Sequence, residues 1–259
     1  MEKRPLILVS NDDGITSPGI KHLIEAMTQL GEVVVVAPDS PQSGMGHAIT
    51  IGNTLRLDKS NLFPGVEAWQ CSGTPADCVK IAKHHILKDR RPDLVVSGIN
   101  HGANTSVSIL YSGTMSAAIE AAMEGLPAIG FSLCEYGWEA NFEHTLPYLI
   151  SIAKEALTKG IPEGVALNVN FPAKQEEPIK GIKICRQAIA KWQEEFDQRK
   201  DPNNRDYFWL MGNFVNLDKG DDTDISAIER NYISIVPSMF DLTAHHAMAG
   251  MNKNWDIVD

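Results

Sequence analysis

The stretch that most constrains the fold runs from residue 5 to residue 19, with the sequence Pro-Leu-Ile-Leu-Val-Ser-Asn-Asp-Asp-Gly-Ile-Thr-Ser-Pro-Gly. Leu6 to Val9 form a short apolar run of strand-forming residues, which predicts a strand buried on both faces. Ser17, followed by proline, is typical of a helix N-cap with proline at the first helical position. Asp12 and Asp13 therefore lie between a buried parallel strand and a crossover helix. Ligands of open α/β sheets bind at the carboxyl ends of the parallel strands, and this aspartate pair is predicted to lie at such an end.

The adjacent carboxylates of Asp12 and Asp13 repel one another, so they need a cation or a shared proton to be stable. The functional interpretation is a divalent-metal site. The alternative is an Asp-Gly turn whose charges are solvated.

Strand and helix patterns continue to alternate along the chain. Glu32 to Ala37 predict a second buried strand, which makes the opening a βαβ unit. Further strands are predicted at Leu94–Ser97 and at residues 128–132, with helices over residues 18–30, 74–87 and 111–124. A β-rich segment is expected over residues 48–71. At 259 residues the chain has the length of one large α/β domain, or of a core domain with an appendage.

Three polar segments lie after predicted strands. Two of them are loops, and the third is the start of a helix. They are residues 38–47, residues 101–108, and the helix start Ser112-Gly113-Thr114. All three are expected at one edge of the same sheet. The helix start offers hydroxyl groups and free backbone N–H groups to an anion.

Residues 191–206 are highly charged and are followed by the aromatic run Tyr207-Phe-Trp-Leu. A charged segment with an aromatic stripe favours an oligomerisation hairpin. An ordinary surface hairpin is the alternative.

Composition narrows the possible partners and compartments. The net charge of −10 makes a nucleic-acid duplex a poor partner, although a bound cation would still allow small phosphorylated substrates. The basic start is followed by too few apolar residues for a signal peptide, and no later stretch is long enough to span a membrane. The four cysteines show no C-x-x-C spacing. We therefore expect reduced thiols in a cytoplasmic protein.

If the polar segments converge, Asp12, Asp13, Ser43 and Asn100 supply two carboxylates, a hydroxyl and an amide carbonyl. These hard oxygen ligands suit Mg²⁺ or Mn²⁺ and leave positions for water and a phosphate oxygen. A cation beside a helix N-terminus stabilises charge that develops on a phosphoryl group. The expected reaction is metal-assisted hydrolysis of a phosphomonoester. Asn11 would bind the phosphate or orient water, and an aspartate carboxylate not fully engaged by the metal would act as the base.

Four sequence blocks carry a resemblance to a known family. They begin at Ile7 (Ile-Leu-Val-Ser-Asn-Asp-Asp-Gly), Ser72 (Ser-Gly-Thr-Pro-Ala-Asp), Asp93 (Asp-Leu-Val-Val-Ser-Gly-Ile-Asn-His-Gly-Ala-Asn) and Tyr111 (Tyr-Ser-Gly-Thr-Met-Ser-Ala-Ala). Together they closely resemble the SurE family, whose members are metal-dependent 5′/3′-nucleotidases that also release phosphate from short polyphosphate. The resemblance extends from about residue 5 to about residue 246.

This resemblance implies an α/β fold with a Rossmann-like, mostly parallel sheet that has helices on both faces. It implies a single domain over residues 1–259 with a C-terminal arm, at about residues 186–222, that joins subunits into a homodimer or homotetramer. One Mg²⁺ or Mn²⁺ per subunit is expected on Asp12, Asp13, Ser43 and Asn100, with nucleoside monophosphate as substrate. The catalytic residues are expected to be Asp12, Asp13 and Asn11. The phosphate-binding positions fall on Asn11, Gly44, Ser108, Ser112, Gly113 and Thr114.

Two other functions fit part of this sequence. A phosphatase of the haloacid-dehalogenase type needs a nucleophilic aspartate two residues before a second one, whereas Asp12 and Asp13 are adjacent. A receiver-like or nucleotide-binding module would hold a metal without turnover. Phosphate release from a nucleoside monophosphate, with and without a chelator, separates these functions.

Overall fold

Strands and helices alternate along most of the chain. The structure is a computed structural model that describes residues 4–137 and 139–255. The strands are β1 (Leu6–Ser10), β2 (Glu32–Pro38), β3 (Leu57–Ser60), β4 (Glu67–Cys71), β5 (Leu94–His101), β6 (Ala128–Leu133), β7 (Val165–Phe171), β8 (Ile182–Ile184), β9 (Ala190–Lys200), β10 (Asp206–Asn216) and β11 (Ile233–Met239). The α-helices are α1 (Pro18–Thr28), α2 (Pro75–Ile81), α3 (Gly113–Met123), α4 (Leu146–Lys159), α5 (Asp224–Glu229) and α6 (His245–Asn254).

A nine-stranded sheet forms the centre of the molecule, in the order β3-β4-β2-β1-β5-β6-β7-β11-β8. The six strands from β4 to β7 in this order run parallel to one another. β3 and β11 are antiparallel to their neighbours β4 and β7. The predicted α/β class with a mostly parallel sheet is therefore confirmed.

The chain reverses its direction across the sheet at β1. It first passes to β2 and β4 on one side, and then returns to β5 on the other side of β1. Ser10 pairs with Ser97 in the β1–β5 register, and both strands lead from there into polar residues. The crevice between the ends of β1 and β5 is the topological switch point, where ligands of such sheets bind.

Helices cover both faces of the sheet because alternate strand residues point to opposite sides. Ile7 packs in a cluster with residues of α1 and with Leu149 of α4. Leu8 packs in a second cluster with Val79 of α2 and Ala118 of α3. The predicted N-caps of α1 and α2 are present, including the capping box of Thr74 and Asp77.

Close packing brings α1 against the end of β5. A Cβ atom at Gly19 would lie 2.0 Å from the carbonyl oxygen of Ile99. Only glycine allows this approach, which fixes the helix that follows the aspartate pair against the strand that ends in Asn100. The geometry of the switch point is thus set by backbone contact.

Some boundaries differ from the predicted ones. β5 does not end at Ser97, because residues beyond a bulge still pair with β6, with Asn100 opposite Ser132. The polar segment after β5 leads into a 3₁₀ helix, Ser106–Tyr111, that was not predicted. The predicted β-rich segment, residues 48–71, contributes β4 to the main sheet and β3 as its edge strand. Helix α6 was not predicted either.

Strands β9 and β10 form a separate antiparallel hairpin within the predicted arm. Most of its residues are exposed, and Trp192 contacts Phe214 with their ring centroids 5.2 Å apart.

The four cysteines carry free thiols. Among the helices of the described chain, none is both long and apolar enough to cross a membrane.

Candidate active site

Asp12 and Asp13 lie directly after β1, at the switch point. Both are buried, with 4% of Asp12 and 9% of Asp13 exposed. The Thr114 hydroxyl, at the start of α3, donates a hydrogen bond to Asp12 Oδ1. Burial, and then the charge of Asp13, raise the pKa of Asp12 to about 6, although hydrogen bonds from Thr114 oppose this shift. A bound cation would relieve the repulsion between these carboxylates.

His101, the last residue of β5, contacts Asp13 across the crevice. Its backbone N–H donates to Asp13 Oδ2 over 3.2 Å, and its ring Nδ1 lies 2.9 Å from the same oxygen. Because an ionised carboxylate can only accept, Nδ1 carries the hydrogen in this contact. His101 was not among the predicted site residues. In the sequence, its position directly after Asn100 in a polar segment indicates that it lies near the predicted site.

Asn100 precedes His101 and therefore lies at the same end of the crevice as Asp13. Its Nδ2 donates to the carbonyl oxygen of Gly102 over 2.8 Å. With the amide nitrogen used in this way, the side-chain oxygen is the atom that can bind a cation.

Residues 39–47, which we call the 39–47 loop, connect to both Asp12 and α3. The Gln42 backbone N–H donates to the backbone oxygen of Asp12 over 2.8 Å, and the exposed Ser43 is the residue that follows Gln42 in this loop. The Ser116 hydroxyl donates to the Gly46 carbonyl oxygen over 2.7 Å. The loop thus bridges the end of β1 and the first turn of α3.

Helix α3 starts in contact with Asp12. Ser112 is its N-cap, and its hydroxyl accepts a hydrogen bond from the Met115 N–H over 3.0 Å. A Cβ atom at Gly113 would lie 2.6 Å from Asp12 Cβ, so glycine is required for this approach. The positive end of the helix dipole therefore faces the aspartate pair and any anion bound there.

Ser108 lies on the 3₁₀ helix that precedes α3. This helix is anchored by Asp224, which accepts from the Ser106 N–H over 2.8 Å and from the Ala188 N–H over 3.0 Å. Asp224 is fully buried, and Ser106 adopts a left-handed conformation with φ 52°. The anchoring role of Asp224 was not predicted, although Thr223-Asp224 falls within the resemblance.

Asn11 points into the turn rather than outward. Its Nδ2 donates to the Gly14 carbonyl oxygen and to the Ser17 hydroxyl, both over 2.9 Å. Its Oδ1 is buried and finds no hydrogen-bond partner within the part of the chain that the structure describes. Both amide hydrogens are already used, so in this arrangement the side chain does not offer a donor to phosphate. It fixes the turn that carries Asp12 and Asp13.

A further contact of the 39–47 loop joins His47 to Glu120, which was not among the predicted site residues. The side chain of Glu120 is 3% exposed, and its two oxygens lie 2.9 Å from His47 Nε2 and 2.6 Å from Lys80 Nζ. Burial alone would raise the pKa of Glu120, but hydrogen bonds from His47 and Lys80 hold that pKa below its ordinary value. No motif marks this interaction, because it joins positions from three distant segments.

The predicted ligand set of Asp12, Asp13, Ser43 and Asn100 has the chemistry that a hard divalent cation prefers. Within residues 4–137 and 139–255, no three His, Cys, Asp or Glu side chains are grouped as a metal site. The predicted ligand set contains only two residues of these types, and Ser43 and Asn100 complete it with neutral oxygens. Such an all-oxygen set suits Mg²⁺ or Mn²⁺ rather than Zn²⁺.

The family model described as "Survival protein SurE" matches residues 7–194 of this chain. The chain belongs to the SurE family. It is 66% identical over 255 residues to a protein of Cytophaga hutchinsonii named 5′-nucleotidase SurE, with 98% of each chain covered. A Flavobacterium psychrophilum protein of the same name is 61% identical, again over 98% of each chain.

A solved structure supports the same assignment. The crystal structure of the SurE protein from Aquifex aeolicus matches this fold with a TM-score of 0.83 and 38% sequence identity. The match covers 96% of this chain and 99% of the Aquifex chain. The predicted family is therefore confirmed over nearly the whole length of the SurE chain described here.

Proposed function

We propose that this chain is a metal-dependent phosphatase that hydrolyses nucleoside 5′-monophosphates to nucleoside and phosphate. The single observation that carries this function is that relatives named 5′-nucleotidase SurE match it at up to 66% identity over 98% of its length. The aspartate pair at the switch point, next to the N-terminus of α3, supports the proposal because it joins a cation site to an anion site.

The proposed metal site holds one Mg²⁺ or Mn²⁺ on Asp12, Asp13, Ser43 and Asn100. Bound there, the ion supplies charge stabilisation for the phosphoryl group and lowers the pKa of a water molecule. His101 fixes the orientation of Asp13 through Nδ1 and the backbone N–H. Hydrogen bonds that orient a metal-binding side chain commonly determine the affinity of the site for its metal.

The proposed phosphate site lies at the start of α3, where backbone N–H groups and the helix dipole stabilise the phosphate charge. Ser112 caps the helix, and Thr114 links it to Asp12. The other residues assigned to phosphate are Gly44, Ser108 and Gly113. Asp12 or Asp13 accepts a proton from the attacking water. Asn11 does not contact the phosphate; it stabilises the turn that carries the two aspartates.

Hydrolysis of 3′-monophosphates and of short-chain polyphosphate is proposed for the same site. The alternative is a metal- and nucleotide-binding module without turnover, for which the acidic pair alone would suffice. The relatives' name, 5′-nucleotidase, favours the enzyme.

We also propose that the chain forms a homodimer or homotetramer in the cytoplasm. The β9–β10 hairpin exposes 57% of Trp209 and 56% of Phe208, which is typical of a surface that a partner covers. The four free thiols are usual in a reducing compartment. Sedimentation of the full chain tests the assembly. A monomer at all concentrations would contradict it.

Phosphate release from a panel of 5′- and 3′-monophosphates and from tripolyphosphate tests the function. The assay is run with Mg²⁺, with Mn²⁺ and with excess chelator. We expect release with either metal and none with the chelator. Nucleotide binding without any release in either metal would favour the binding module instead.

A further inference from the structure

The 39–47 loop carries Ser43 and Gly44 in a single turn. The Met45 N–H donates to the Gln42 carbonyl oxygen over 3.3 Å and closes this turn. Ser43, Gly44 and Met45 are all exposed, and Gly44 adopts a left-handed conformation with φ 74°. The turn therefore has little packing of its own, and its position depends on where the loop is attached to the rest of the protein.

The two ends of this turn are attached to different elements. Before the turn, the Gln42 N–H donates to the backbone oxygen of Asp12, directly after β1, over 2.8 Å. After the turn, the Gly46 N–H donates to the carbonyl oxygen of Tyr111, the last residue of the 3₁₀ helix, over 3.2 Å. A movement at the second end would shift Ser43 relative to the aspartate pair.

The second end is held by neutral hydrogen bonds, one of which is shared. The Ser116 Oγ atom lies 2.7 Å from the carbonyl oxygen of Gly46 and 2.7 Å from that of Ser112. A hydroxyl group has one hydrogen, so Ser116 divides its donation between these two oxygens. The backbone contacts of Gly46 alone therefore hold this end of the turn weakly.

His47 adds a stronger attachment directly after Gly46. Its Nε2 lies 2.9 Å from Glu120 Oε2, and Lys80 Nζ lies 2.6 Å from the other oxygen, Oε1. Because an ionised carboxylate can only accept, Nε2 carries the hydrogen in this contact. Hydrogen bonds to ionised groups are roughly twice as strong as neutral ones. The Glu120 side chain is 3% exposed and belongs to α3, so it is a fixed point on the helix whose start contacts Asp12.

We propose that His47 is a positioning residue for the metal site, which holds the turn of Ser43 and Gly44 against α3 through its hydrogen bond to Glu120. This inference rests on the proposed function, in which Ser43 binds the cation. Lys80 has a different role, because it lies on α2 and completes the pairing of the buried carboxylate from outside the loop. Loss of Lys80 costs stability, whereas loss of His47 also releases the turn.

The test compares His47→Ala with Lys80→Met, since each variant removes one of the two partners of Glu120. Amide hydrogen exchange of residues 42–46 in the metal-free protein reports directly on the attachment of the turn. In His47→Ala we expect faster exchange there and about ten-fold weaker Mn²⁺ binding by calorimetric titration, the usual effect of losing a residue that supports a metal ligand. Lys80→Met should lower Tm but leave both quantities close to wild type. His47→Gln should restore most of both, because the glutamine Nε2 can donate to the same oxygen.

Unchanged exchange and unchanged Mn²⁺ affinity in His47→Ala would overturn the proposal. Equal losses in His47→Ala and Lys80→Met would also overturn it, because they would show that the Glu120 contacts act only through overall stability. If the wild-type protein bound no Mn²⁺ at all, the proposed function itself would fail, and hydrogen exchange would still show whether His47 holds the turn. The two failures are thereby distinguished.

Discussion

His101 Nδ1 lies 2.9 Å from Asp13 Oδ2, and this contact joins the end of β5 to the end of β1 across the switch point. Asp13 is thereby held in one orientation by a residue that is not itself a proposed metal ligand. Sequence separation hides this contact, since the two residues are 88 positions apart.

Replacing His101 by alanine should weaken Mn²⁺ binding about 10- to 100-fold, which is the usual effect of removing a residue that orients a metal ligand. The expected reason is that Asp13 loses its fixed orientation. Calorimetric titration of Mn²⁺ measures the change, and excess Mn²⁺ should recover most of the activity. His84→Ala is the control, because the His84 side chain is 61% exposed and contacts Glu124 instead. Equal Mn²⁺ affinity in His101→Ala and wild type would remove His101 from the site.

Gly113→Ala should abolish phosphate release while leaving a folded protein. The added Cβ would lie 2.6 Å from Asp12 Cβ, so the start of α3 must move away from the aspartate pair. Gly52→Ala provides a matched control, since no atom lies within 4 Å of a Cβ at that position. Circular dichroism and the phosphate assay together check the prediction. Full activity in Gly113→Ala would contradict the close approach.

In the metal-free protein, the contribution of Asp12 to stability should fall as the pH rises from about 4 to about 6. Burial raises the pKa of Asp12 from 3.8 to about 6 in the folded state, so the folded chain binds more protons than the unfolded chain in this window. The contribution of Asp12 therefore falls with rising pH, by an amount on the order of 3 kcal/mol for a shift of this size, and it is read as the difference between wild type and Asp12→Asn. Thermal unfolding in chelator at several pH values measures it.

Asp12→Asn tests the origin of that pH dependence. The amide cannot ionise, so the part of the pH dependence that comes from Asp12 should be absent in this variant, and its stability relative to wild type should rise between pH 4 and 6. Added Mn²⁺ should stabilise wild type more at pH 7 than at pH 4, since only the ionised carboxylate binds metal well. A pH profile of Asp12→Asn that matches wild type would assign the effect to another group.

Glu120→Gln should destabilise the protein by about 1–3 kcal/mol, because a buried carboxylate that pairs with Lys80 and His47 is lost. The lowered pKa of Glu120 means that its contribution is present above its ordinary value of 4.5 and disappears as the pH falls through the folded pKa. The difference in Tm between wild type and variant should therefore shrink below about pH 4.5. A difference that stays constant down to pH 3 would contradict this account.

Local signals were sufficient to predict the framework of the fold. The apolar run of β1, the Ser17-Pro18 start of α1 and the Thr74 capping box each depend on residues close in sequence, and the structure contains all three. The boundaries that differ depend on long-range pairing. β5 extends to His101 because its last residues pair with β6, which no local pattern reveals.

The supporting contacts of the site were beyond sequence reasoning for the same physical reason. Glu120 lies 73 positions from His47, and Asp224 lies 118 positions from Ser106. Each pair is brought together by the tertiary fold and not by neighbouring residues in the sequence. The role of Asn11 illustrates a different difficulty, since residue type alone could not show that both amide hydrogens are used within the turn.

In the proposed metal site, oxygen atoms of Asp12, Asp13, Ser43 and Asn100 bind one divalent cation next to the start of α3. A crystal of the protein grown with Mn²⁺ tests it through the anomalous signal of the metal. We expect one strong peak per subunit within about 2–2.5 Å of oxygens from all four residues. A peak elsewhere, or Ser43 and Asn100 oxygens that remain distant from the ion, would contradict it.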